Sequence, residues 1–124
     1  MKNISCERKN IVMRVLNRSA VVITPNQRML AWLRSVDTTN DDLTLADLRD
    51  EPSIYLVPEC VDERAFTAVL KRTFQSIFEE ELEAWYTDPS VWPEPLSFRL
   101  FQSWFDVSFH SVIADTSELP LVRE

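Results

Sequence analysis

The chain has no glycine in 124 residues, where an average sequence carries about 7%. Phosphate-cradling loops and dinucleotide-binding turns use glycine to let the backbone close on the ligand, so Walker-type and Rossmann-type sites are not expected. The nucleophile elbow G-x-S-x-G is missing for the same reason. Tight turns fall instead to Asn, Asp, Ser and the 7 prolines.

Cysteine and histidine are almost as scarce. Cys6, Cys60 and the single histidine, His110, are too few for a disulfide scaffold or an ordinary Cys/His zinc site. The plain reading is a tail thiol at Cys6 and a half-buried small apolar residue at Cys60. No apolar run approaches the roughly 18 residues of a membrane span, and the opening MKNISCERKN has no apolar segment of the signal type. The expectation is a cytoplasmic chain without a membrane partner or a cofactor.

The length fits one domain, residues 11–124 after a polar tail over 1–10, and folding at this size buries about two-thirds of the extended chain's surface. Hydrophobic residues make up 45% and charged residues 27% of the chain, which places it among ordinary globular proteins rather than disordered ones.

The net charge of −7 is uneven: residues 1–36 hold seven basic side chains against Glu7, a balance of +6, and the remainder holds six basic against 19 acidic, a balance of −13. A basic nucleic-acid arm is one reading of that start. The other, which we favour, is a basic segment beside an acidic body, because the whole repels phosphate and no aromatic residue precedes Trp32 to stack a base.

The clearest element is one long amphipathic helix over residues 62–86. Phe66, Val69, Leu70, Phe74, Ile77, Phe78, Leu82 and Trp85 recur at three- and four-residue spacing, and Asp62 can cap the first turn. A second helix, over 98–105, carries the stripe Phe98, Phe101 and Phe105 behind the cap Ser97. Strands are expected over 20–24, 53–57 and 106–114, the last alternating Val107 and Phe109 with Ser108 and His110. Thr24 as cap with Pro25 at the first helical position predicts a helix bearing Met29, Leu30 and Leu33, and Thr44 opens a short turn that Pro52 closes. TDPSVWPEP, three prolines within seven residues, forms an extended connector with Trp92 packed beneath it. The fold class is therefore α+β: a three- to four-stranded sheet with the long helix and the aromatic helix packed on one face.

Of 13 aromatic residues only Trp32 and Tyr55 lie outside 66–109, so the core is expected there, with part of the surplus open as a partner surface. Glu79, Glu80, Glu81 and Glu83 crowd the carboxyl end of the long helix, where the helix dipole favours cations. At 100° per residue Glu79 and Glu83 face away from the apolar stripe, Glu80 sits at its margin, and Glu81 falls inside it. A carboxylate there either emerges at the domain edge, pairs with an Arg, a Trp N–H or His110, or serves as a functional acid. Oxygen ligands from Glu80, Glu81 or Asp88 would suit magnesium or calcium, but no spacing specifies a metal site. His110 shares a strand face with Asp106 and Ser108, although side chains two apart on a strand diverge from triad geometry. A Cys60 and His110 pair rests on nothing beyond their presence.

The segment EEELEAWYTDPSVWP, with WFDVSFHS after it, is similar to a family of small acidic bacterial proteins to which no activity is assigned. The resemblance runs from Ala20 onward. It implies a compact bacterial cytoplasmic domain and carries over no catalytic or binding residue.

Two functions follow as expectations. The first is a non-enzymatic interaction protein that presents Glu79, Glu80, Glu83, Trp85, Tyr86 and Trp92 to a protein with a basic surface. The second is a small hydrolase or metal-dependent enzyme using Glu81, His110 and Asp106, which requires those side chains to converge. No motif sets an oligomeric state.

Overall fold

Strand β2 (Arg18–Pro25) is the hub of the fold, since its Val and Ile residues suit a pleated surface buried on one face. In the computed structural model, which describes residues 13–124, β2 is the middle of a three-stranded antiparallel sheet, between β3 (Ser53–Pro58) and β4 (Phe105–His110). Val21 stands opposite Tyr55 on one side and Phe109 on the other. A second, two-stranded ladder joins β1 (Arg14–Val15) to β5 (Ala114–Asp115).

Four α-helices occur among the described residues: α1 (Gln27–Val36), α2 (Leu45–Arg49), α3 (Glu63–Glu83) and α4 (Phe98–Trp104). The long helix α3 starts where expected, because the Asp62 carboxylate accepts from the Ala65 N–H at 2.8 Å. Its stripe of Phe66, Val69, Leu70, Ile77, Phe78 and Leu82 is buried. Phe78, with no exposed surface, meets the rings of Phe101, Trp104 and Phe105 edge-on at 5.7, 5.5 and 5.6 Å between centroids. Ser97 caps α4 by accepting from the Leu100 N–H. The architecture is α+β, as the sequence indicates.

Two local expectations give way to pairing across the sheet. Thr24 does not cap α1; Thr24 and Pro25 stay extended because they pair with Asp106 and Phe105. Asn26 caps the helix instead, its side chain accepting from the Arg28 N–H at 2.9 Å and donating to the Ser103 carbonyl. The last strand ends at His110 rather than running to residue 114. Ala20 opposes His110 but Val15 opposes Ala114, so five residues along one strand meet four along the other. That offset is a bulge-like break, and the Ser19 hydroxyl fills it by donating to the Ser111 carbonyl at 3.1 Å.

The prolines after α3 form a connector as expected, with a short 3-10 turn at Pro89–Val91 capped by Asp88. Trp92 packs beneath it, and its indole N–H donates to the Tyr86 carbonyl at 2.8 Å. On the opposite face of the sheet Ile54 and Leu56 remain 67% and 53% exposed, with Ser108 and His110 exposed on the same face across β2. No helix among the described residues is long and apolar enough to cross a membrane.

Candidate functional site

Glu81 interrupts the apolar stripe of α3, and the structure supplies its partner. The Tyr55 hydroxyl, on the inward face of β3, donates to the Glu81 carboxylate at 2.6 Å. Burial pushes the Tyr55 phenol well above its ordinary value, and the hydrogen bond to Glu81 and the charges of Glu81 and Glu80 push it further. Tyr55 is therefore a neutral donor at any physiological pH, and Glu81 is a half-buried acceptor with oxygen lone pairs to spare.

This pair sits in a groove between β3 and the carboxyl half of α3. The groove encloses about 590 Å³ and is bounded by β3 on one side and by Arg72, Thr73, Ser76, Ile77, Glu80 and Glu81 on the other. Ser53 lies near Glu81 and Ala84, where a second recess of about 360 Å³ continues the groove past Asp50, Glu51 and Trp85. One end of the line thus carries carboxylates and a 42%-exposed Trp85, while Arg72 belongs to the groove alone.

Among the described residues the strand beside the groove has an unpaired edge. The Asn26 N–H donates to the carbonyl of Trp104, the residue directly opposite in the β2–β4 register. Hydrogen-bonded pairs alternate along an antiparallel ladder, so Ala20, Val22 and Thr24 bond to β4 while Ser19, Val21 and Ile23 bond to β3. Opposite them, Ser53, Tyr55 and Val57 turn their backbone groups toward β2. Ile54 and Leu56 turn theirs outward, where no strand among the described residues pairs with them. Pro58, next in that outward set, has no N–H to present.

His110 and Ser108 are joined at 3.0 Å on the outer face of β4, closer than the divergence expected of strand neighbours. Asp106 does not complete a triad; its carboxylate pairs with Arg49 at 2.9 Å. Glu81 and His110 are not brought together, since Tyr55 and Glu81 lie on the helix-covered side of one edge strand and His110 lies on the open side of the other. Cys60 is 3% exposed rather than half-buried, its thiol donates to the Pro58 carbonyl, and burial raises its pKa, so it is an inert packing residue, while the His110 ring is bonded to Ser108. Among the described residues no group of three or more His, Cys, Asp or Glu side chains could hold a metal ion.

Of the acidic and aromatic candidates, Glu80 lines the groove and Trp85 the adjoining recess. Glu83 is exposed, and Glu79 lies 3.5 Å from the Gln75 amide. Tyr86 and Trp92 are engaged inside the molecule. The Tyr86 hydroxyl accepts from Asn40 at 2.8 Å and its ring meets Trp32 edge-on at 5.8 Å, so both side chains are tied into the fold. Sequence reasoning missed Tyr55, Arg72 and the outward backbone of Ile54 and Leu56; the signal was the apolar outer alternation of SIYLVP closing on proline.

No family model, curated protein or solved structure matches this chain.

Proposed function

We propose that the protein is a non-enzymatic cytoplasmic interaction module that receives a partner with a basic surface in the groove between β3 and α3. The observation that carries this reading is the joining of an open groove to an acidic end, where Glu80, Glu81, Asp50 and Glu51 gather around Ser53 and Trp85. Carboxylates at a groove rim steer a basic partner and fix its register, while the apolar floor supplies contact area. The surface remains acidic and aromatic, but with other residues than the sequence suggests: Glu79, Glu83, Tyr86 and Trp92 do not line the groove or its recess, and Tyr55, Glu51 and Asp50 do.

Fluorescence anisotropy with a labelled lysine-rich peptide tests the reading. Affinity falls at least about tenfold between low and high salt, and by a similar factor in a Glu51→Lys, Glu80→Lys double variant. An affinity indifferent to both salt and charge reversal overturns it.

A further inference from the structure

The geometry points to β-strand addition as the mode of binding: an extended segment of a partner, alternating apolar and basic residues, pairs antiparallel with the outer edge of β3. The inference rests on the reading of the groove as a partner-binding surface and specifies what enters it.

Three features fix the occupant. Ile54 and Leu56 present two N–H and two C=O groups outward, a template that an extended backbone satisfies and a helix does not. An exposed apolar edge of this kind is a liability in a protein that leaves it unused. The two faces of the edge then differ in chemistry. Incoming residues opposite Ile54 and Leu56 lie on the open face beside these exposed side chains, which favours Val, Ile or Leu as cross-strand neighbours. Residues opposite Ser53 and Tyr55 turn into the groove toward Glu80 and Glu81, which favours Lys or Arg.

Charge also sets where the basic residues fall. The acids gather at the Ser53 end of β3, where both recesses meet, while Arg72 borders only the groove. An antiparallel segment begins at the Val57 end and finishes at the Ser53 end, so its basic residues fall opposite Tyr55 and then Ser53, and none is called for opposite Val57, nearer Arg72. The expected pattern is apolar, basic, apolar, basic, read from opposite Leu56 to opposite Ser53.

The test uses the full chain and a fluorescein-labelled, acetylated peptide of alternating valine and lysine. Valines set opposite Ile54 and Leu56 turn their N–H groups toward β3, whereas lysine N–H groups turn away. N-methylation of the valines therefore weakens binding at least about tenfold, and N-methylation of the lysines changes it less than about threefold. Leu56→Pro removes one outward N–H without touching the β2 ladder and weakens the unmodified peptide similarly. Because the N-methylated peptides leave the protein intact, the result holds even if that variant folds poorly. Equal binding of both methylated peptides overturns strand addition and leaves the acidic-groove reading standing. Failure of the alternating peptide to bind while a lysine-rich probe binds has the same meaning; failure of both removes both. A dimer of the free protein in sedimentation, lost in Leu56→Pro, assigns the edge to a second copy and also overturns the proposal.

Discussion

The Tyr55 hydroxyl donates a 2.6 Å hydrogen bond to Glu81, tying the middle of edge strand β3 to the last third of α3. This contact explains the acid that breaks the apolar stripe. Glu81 is neither stranded in the core nor free in solvent, but bonded across the groove that β3 and α3 form. Removing the acceptor leaves a half-buried hydroxyl without its partner. Tyr55→Phe and Glu81→Ala each lower stability by about 1 kcal/mol, and the double variant costs much less than the sum, as urea denaturation of the full cycle will show.

The same contact predicts an alkaline response. The Tyr55 phenol is raised above its ordinary value of 10.0 in the folded state, by burial first and then by Glu81. Below that pH both folded and unfolded chains keep the proton, and the group adds no slope. Above it the unfolded chain loses the proton while the native chain holds it, so stability falls as pH rises from about 10 toward the native value. Tyr55→Phe makes that fall shallower; a variant with the wild-type slope between about pH 10 and 11.5 would contradict the assignment.

Phe78 is the centre of the aromatic core, and the rings of Phe101, Trp104 and Phe105 close on it. Phe78→Ala opens a cavity there and costs about 3 to 5 kcal/mol by chemical denaturation. Phe74→Ala costs less, because Phe74 is only partly buried at the margin beside Phe98.

Asn26 rather than Thr24 caps α1. Asn26→Ala loses the bond to the Arg28 N–H and the bond to the Ser103 carbonyl, a cost of about 1 to 2 kcal/mol, whereas Thr24→Ser leaves the helix start intact.

How far the sequence discloses this molecule depends on the range of the interactions concerned. The long helix is legible from its three- and four-residue period and the Asp62 cap, both of which act within a few residues. Ser97 and Thr44 are legible for the same reason, and Thr44 forms the full capping box with Asp47. Thr24 misleads because a local cap signal, threonine before proline, lost to strand pairing with Asp106 from the far end of the chain. The groove is not legible at all from local pattern. Which strand ends at an edge follows from the order β3–β2–β4, set by contacts between residues 30 to 90 apart. Glu81 could be singled out as anomalous from helical projection alone, yet its tyrosine partner lies 26 residues away on a strand whose inward side emerges only once β2 is placed beside it.

The central claim, that the outer edge of β3 is an open docking line, is tested most directly by amide hydrogen exchange resolved by NMR. In the free protein the N–H groups of Ile54 and Leu56 exchange at least about 100-fold faster than those of Tyr55 and Val57, and saturation with the alternating valine–lysine peptide slows them at least about tenfold. Ile54 and Leu56 amides as protected as Tyr55 in the free protein, or unchanged when the peptide is bound, would contradict it.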